Sequence, residues 1–402
     1  MSEMTSGLEP VDYPNMRPGR IEPVPVLAEL RRDRPVCRVR LPYGKDGWLV
    51  TRHADVRTVY SDPRFSRAAA ITPDVPRASP FVPRPDSMLS MDPPEHTRLR
   101  GLMMKAFTAR RIQLLRPGTE RITTELLDGI IAQGPPAELV SELCLPLPVM
   151  VICELLGVPY ADRHLLNEWS TAFTSVTALS AEDVQKAYTS LREYVAGLVA
   201  ERRRVPADDF LGALVEARDS GDRLSEDELV TMTVFLLVAG HETTATQLAN
   251  SLYQLLDRPE ALETLRARPE LTATAVDELL RYIPIFASAT LARVALEDVE
   301  IGGVLIRQGE AVLCSDAGAN WDEEVFTDPD RLDFTRSPNP HMAFGHGAHR
   351  CLGSQLARME LQVALRAVAD RFTGLRLAVP PEDVTWKSGK TTHGVAELPV
   401  AW

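Results

Sequence analysis

The stretch from Phe344 to Gly353, FGHGAHRCLG, sets one thiol among two histidines and three glycines, directly ahead of the helical pattern SQLARMELQVALRAVADRF. A cysteine near a helix N-terminus meets the positive end of the helix dipole and backbone N–H groups that have no intrahelical acceptor. Both favour thiolate over thiol. Gly345, Gly347 and Gly353 let the backbone come close to a partner. Together these describe a thiolate laid against something large, and a porphyrin iron is one such partner. The loop by itself leaves three other readings open. Cys351 is a small core residue, or a zinc ligand beside His346 and His349 with no fourth ligand nearby in sequence, or a nucleophile for which nothing selects a base.

A second set of chemistry-bearing residues lies in MTVFLLVAGHETTATQLA, where Glu242 and Thr243 interrupt an apolar run. An acid and a hydroxyl halfway along a buried helix are costly unless they have work to do. Ala239 and Gly240, just before them, leave room beside the helix. The helix is expected from Ser225 to Asp257: SEDE at its start is a capping box, and RPE at Arg258 is a stop. Glu278 and Arg281 in ELLR are three residues apart, so they share a helix face and can pair. Behind Cys351, the positions Leu352, Leu356, Met359 and Val363 make one buried stripe.

The elements that must hold these residues are mainly helical. A helix-rich core is expected over about 95–290 and 352–372, with small β regions over about 36–52, 292–314 and at the C-terminus. VCRVRLP and GWLVTR read as a strand pair, and RVALEDVEIGGVLIRQGEAVLC as short strands joined at Gly-Gly and Gln-Gly turns. The proline-rich stretch from Ile71 to Ser87 reads as a long loop. No repeat and no clean domain cut appears, so residues 1–402 are expected to form one domain. A net charge of -12 argues against a broad nucleic-acid or anionic-membrane surface. The 5 cysteines are scattered and form no CxxC pair, which fits a reduced compartment. With no signal pattern at the N-terminus and no apolar run fit to span a bilayer, a cytoplasmic location is expected.

FGHGAHRCLG resembles the F-x-x-G-x-H/R-x-C-x-G signature of the cytochrome P450 family at every fixed position. AGHETT, ELLR and DPPEHTRLR resemble three further family segments in the same order, so the likeness covers most of the chain. It implies the P450 fold, mainly α with minor β, with haem between a long central helix and the cysteine loop and helix. Cys351 would be the axial thiolate, Phe344 would pack on that side, and Gly353 and Ala239 would lie close to the haem. His96, Arg100, Arg293 and His349 match positions that hold propionates. Glu242 and Thr243 match the pair that bonds dioxygen and relays protons to it. Glu278 and Arg281 would join Arg331 of DPDR in a structural network.

The resemblance also implies haem b (iron protoporphyrin IX), O2 as co-substrate, and NAD(P)H electrons delivered through a ferredoxin and a ferredoxin reductase. Arg98, Lys105, Arg110, Arg111, Arg350 and Arg358 form a basic set suited to an acidic ferredoxin. Segments that match substrate-recognition regions supply Phe81, Leu89, Phe235, Val238, Ile285, Phe286, Ser288 and Thr392, with His393 beside them. Such a lining suits a medium or large, mostly apolar molecule with a few polar handles. The expected reaction is hydroxylation or epoxidation of a natural product. The alternative is the same iron chemistry used for oxidative C–C or C–N coupling. A haem sensor without turnover and a zinc or structural protein are further alternatives, and the Glu242–Thr243 pair speaks against the sensor.

Overall fold

The computed structural model describes residues 9–13, 20–79, 82–173, 179–207, 209–219, 224–286 and 291–402. The chain divides into two compact units, one from Met1–Thr97 and Asp277–Cys351, the other from Arg98–Val276 and Leu352–Trp402.

The first unit is built on a six-stranded sheet. Its order is Val11–Asp12, Val36–Arg40, Gly47–Val50, Ala311–Cys314, Arg293–Ala295 and Phe65–Ser66. The expected strand pair is present, with Val36 opposite Val50 and Arg38 opposite Trp48 in antiparallel register. Gly47–Val50 runs parallel to Ala311–Cys314 at the sheet's centre and is buried along its whole length. Both faces of a central strand need apolar cover, and alternation supplies it. Trp48, Val50 and Val312 join one core cluster with Val56, Val59 and Phe65, while Leu49 and Leu313 join another with Leu27, Leu30 and Val39. The Gly-Gly turn closes a hairpin of Val299–Ile301 on Val304–Ile306. Gly302 and Gly303 both have positive φ. A two-residue hairpin loop demands that conformation, and glycine adopts it without a Cβ clash.

A buried ion network braces this unit. The Glu278 carboxylate and the Arg281 guanidinium, both 0% exposed, pair at 2.8 Å along the Thr272–Tyr282 helix. The third member differs from the sequence expectation. Arg331 contributes its backbone carbonyl to Arg281 Nη2, and its own side chain lies in exposed surroundings. The second guanidinium on Glu278 is that of Arg336, whose Nε reaches Oε2 at 3.0 Å and Oε1 at 3.1 Å. The reason is local. A turn with Arg331 N–H on the Asp328 carbonyl directs the Arg331 carbonyl inward, and a second turn, Arg336 N–H on the Asp333 carbonyl, brings Arg336 back.

The second unit is helical. Its longest helix, Glu226–Asp257, starts at the expected capping box, with Ser225 and Glu228 bonding each other's backbone N–H. It stops at Arg258, where Pro259 follows. Helices Pro146–Leu156, Arg163–Phe173, Ala181–Arg204 and Ser354–Arg371 pack on it. By length and composition this helix is apolar enough to cross a membrane, but 67% of its most apolar window is buried inside the protein, as for a core helix. Leu356, Met359 and Val363 of the expected stripe are buried on Ser354–Arg371, whereas Leu352 precedes the helix and is only half-buried. The C-terminal strand Pro399–Ala401 lies between Arg376–Leu377 and Ala137–Glu138.

The Glu278 network separates two arginines that sequence alone does not. Arg336→Ala removes one of the two guanidiniums on a buried carboxylate that keeps Arg281, and should cost about 1–3 kcal/mol of stability. Arg331→Ala keeps the carbonyl that matters and should stay within about 0.5 kcal/mol. Urea midpoints of the two variants check this, and equal losses would contradict it.

Candidate active site

In the first unit the segment around the thiol is a closed loop. Cys351 N–H bonds the Phe344 carbonyl at 2.8 Å, Gly345 N–H bonds Met342 O at 2.8 Å, and Arg350 N–H bonds Gly347 O at 3.1 Å. Gly347 has positive φ and lies where a Cβ would collide with the Tyr60 carbonyl. Both conditions restrict this position to glycine. The loop leaves Cys351 exposed, whereas Cys37, Cys144, Cys153 and Cys314 are buried. Burial pushes the Cys314 thiol up to about 12, with Asp316 adding and Arg293 opposing, so it stays a thiol.

The same unit collects imidazole and guanidinium side chains. His96 is buried in the first turn of the Glu95–Ala106 helix, and its ring lies tilted against that of His349 with centroids 4.1 Å apart. Arg293 is also buried, with its guanidinium 4.5 Å from the Tyr60 ring, and the Tyr60 hydroxyl donates to Asp316 at 2.7 Å. Asp92 fixes the approach to the helix by accepting from Ser66 Oγ and, at 2.8 Å, from Arg67 N–H. Phe344 is half-buried, 6.0 Å from His341 by ring centroids. Arg100 follows His96 by one turn on the same helix and is half-buried in the second unit. Gly353 is the N-cap of Ser354–Arg371, and a Cβ there would meet nothing within 4 Å.

In the second unit the long helix is buried nearly all round. The exceptions near its centre are Thr231, Phe235, Val238, Ala239, Gly240 and Thr243, which remain partly accessible. Apart from Gly240 their spacing of three and four places them on one face, the stripe a cavity wall would use. Thr243 Oγ donates to the Ala239 carbonyl at 2.7 Å. That bond uses its proton and leaves its lone pairs as acceptors. Glu242 points elsewhere. Its Oε1 takes Lys387 Nζ at 2.6 Å and the Thr392 hydroxyl at 3.2 Å, and Lys387 also reaches Thr246 Oγ at 2.7 Å. Burial alone would raise the Glu242 carboxyl. The Lys387 charge and hydrogen bond outweigh it, helped by His241 and Lys390, and hold the carboxyl below its ordinary value. His241 is pushed from 6.5 down to about 4, by burial first and by Lys387, against the pull of Glu242.

A family model for cytochrome P450 matches residues 161–396. The nocardicin C N-oxygenase of Nocardia uniformis subsp. tsuyamanensis is 53% identical over 97% of this chain and 98% of its own. This chain belongs to the cytochrome P450 family. The mycinamicin IV hydroxylase/epoxidase of Micromonospora griseorubida is 49% identical over 93% of this chain and 94% of its own. The crystal structure of the LnmA cytochrome P450 hydroxylase from the leinamycin biosynthetic pathway of Streptomyces atroolivaceus S-140 overlays with a TM-score of 0.92 at 53% identity, covering 97% of this chain and 100% of that one. The protein is a P450 monooxygenase, with haem b as cofactor and O2 as co-substrate.

The donor set of this P450 fits that cofactor. An exposed thiol suits a soft ligand to iron, and the buried His96 imidazole with the half-buried His349 and the buried Arg293 guanidinium suits carboxylates. Among the described residues no cluster of three or more His, Cys, Asp or Glu side chains is placed to hold a metal ion, which leaves the zinc reading without support. Leu89, Ile285 and Phe286 are half-buried in the first unit. Phe81 and Ser288 lie outside the described residues. The Thr392 hydroxyl is taken up by Glu242. Sequence reasoning missed Lys387, Thr246 and Asn250. The available signals were the two lysines of WKSGKTTHG and an asparagine within an apolar helix.

The depressed His241 sets a pH test. Between 6.5 and about 4 the unfolded chain binds a proton that the folded chain refuses, so stability falls as pH drops through that window. The slope contributed is up to about 1.4 kcal/mol per pH unit. His241→Gln should flatten this acid limb when unfolding free energy is measured against pH. An unchanged slope would show that His241 is not held neutral.

Proposed function

We propose that this P450 inserts one oxygen atom into a C–H or C=C bond of a medium-to-large, mostly apolar natural product, working as one domain in the cytoplasm. The observation that carries this reading is the accessible stripe Phe235, Val238, Ala239 and Thr243 on an otherwise buried helix, with a charged, buried Glu242 next to it. An apolar wall beside a proton-handling pair is what selective oxidation of an apolar molecule requires. The two relatives described above are named for oxygenation of nocardicin C and mycinamicin IV, and this favours insertion over oxidative coupling.

Haem, when bound, supplies the oxidising chemistry at its iron. Cys351 would hold the iron through its thiolate, with Phe344 and Gly353 flanking and Ala239 offering a small surface. His96, Arg100, Arg293 and His349 would take the propionates, whose burial demands cationic donors. Thr243 Oγ orients a hydrogen-bond donor through its remaining lone pairs, and Glu242 holds and passes the proton. Leu89, Ile285 and Phe286 would add apolar contacts to the substrate.

Electrons reach bacterial P450s from separate redox proteins. Of the basic set suited to an acidic ferredoxin, Arg110 and Arg350 are exposed. Arg98 is paired with Glu228, and Arg111 bonds the Asp209 carbonyl, so both would have to give up those bonds to take part.

Turnover under isotopically heavy dioxygen tests the reaction class. Product should gain one labelled oxygen, and loss of two hydrogens without label would establish coupling instead. Thr243→Ala should keep haem while the share of reductant recovered in product falls severalfold, with peroxide or water made in its place. Unchanged coupling would remove Thr243 from the mechanism.

A further inference from the structure

The long helix carries a polar rail on its apolar surface: Glu242, Thr246 and Asn250, each four residues after the last and therefore on one face. A C-terminal hairpin is fitted to that rail. Trp386 bridges Val395, and Lys387 N–H bonds the Gly394 carbonyl at 2.8 Å. Asn250 Nδ2 donates to the His393 carbonyl at 3.0 Å, and Val395 N–H donates to Asn250 Oδ1 at 3.1 Å. Gly394 passes so close to Asn250 that any Cβ would strike its side-chain amide. Tyr253 packs edge-on against Trp386, and Trp386 stacks on His393. The root of Lys387 is thus fixed from both sides. Its ammonium, with the side chain 12% exposed, spans Glu242 Oε1 and Thr246 Oγ.

We propose that Lys387 is a positioning residue for Glu242, holding its carboxylate on the hairpin side of the helix so that this ion pair must open before Glu242 passes a proton. The inference rests on the proton-handling role proposed above for Glu242. The structure holds this pair closed, and Glu242 is free to turn toward the accessible face of the helix only when its contact with Lys387 is broken. The groups that bear on Glu242 are His241 on its own helix and Lys387, Lys390 and Thr392 on the C-terminal segment. Cys144, from the Val140–Cys144 turn, feels the Lys387 charge, and burial keeps it a thiol, so it adds no negative charge. Of the cations in this set, Lys387 has its ammonium bonded directly to the Glu242 carboxylate.

Infrared titration of the haem-loaded enzyme reads this directly, with Glu242→Gln as the blank that assigns the carboxylic-acid band. In Lys387→Met the protonation midpoint of Glu242 should rise by about 1–3 pH units. Lys387→Gln, which keeps a hydrogen bond without charge, should rise similarly and serves if the methionine variant folds poorly. Lys387→Arg should remain near the wild type. The pH dependence of coupling, measured as product formed per reductant consumed, should move the same way. An unmoved midpoint overturns the inference, as does a moved midpoint that coupling ignores while Glu242→Gln is uncoupled. Wild-type coupling in Glu242→Gln would instead overturn the role proposed for Glu242 itself.

Discussion

The carboxylate of Glu278, sealed from solvent, needs a full set of donors to remain charged there. It gathers them from four places: Arg281 on its own helix, Arg336, the Asp333 N–H and the Asn339 amide. That requirement holds the segment from about residue 327 to 339 against the Thr272–Tyr282 helix. Arg281 carries the constraint onward by donating to the Asn320 carbonyl at 2.9 Å, and Asn320 Oδ1 accepts from Met342 N–H at 2.6 Å. Met342 then accepts from Gly345, and the loop to Cys351 begins. The position of the thiol is therefore the far end of a chain of bonds that starts at one buried charge.

The second unit solves a similar problem with a neutral anchor. Asn250 gives its side-chain amide and carbonyl to the backbone of the C-terminal hairpin, and glycine at 394 lets the two come together. The hairpin then returns a cation to the helix two turns earlier, at Glu242. A carboxylate inside an apolar helix would otherwise be driven to its neutral form by desolvation. The charge of Lys387 reverses that tendency and holds the carboxyl below its ordinary value. Positioning and charge state are set by the same contact.

Much of this was legible in the chain, and the limits have physical causes. The capping box and proline stop fixed both ends of the long helix, because capping and proline act within a few residues. Alternation exposed the strand pair, and a Gly-Gly step exposed the hairpin. The cysteine loop was recognisable from its glycines and its fixed spacing. Arg336 was missed in favour of Arg331, since two successive turns decide which arginine presents a guanidinium and which presents a carbonyl. Lys387 was missed because 145 positions separate it from Glu242, and no local pattern encodes a contact at that range. The hydroxyl of Thr392 is engaged for the same reason, by a helix far away in sequence.

The account stands or falls on the sulfur of Cys351 being the anionic ligand of the haem iron. The absorption spectrum of the reduced protein under carbon monoxide reports this most directly, since a thiolate opposite the carbonyl moves the Soret band to long wavelength. The wild-type protein is expected to show that red-shifted band, and Cys351→His to bind haem without it. A red-shifted band that survives in Cys351→His, or its absence from well-folded, haem-loaded wild type, would contradict the account.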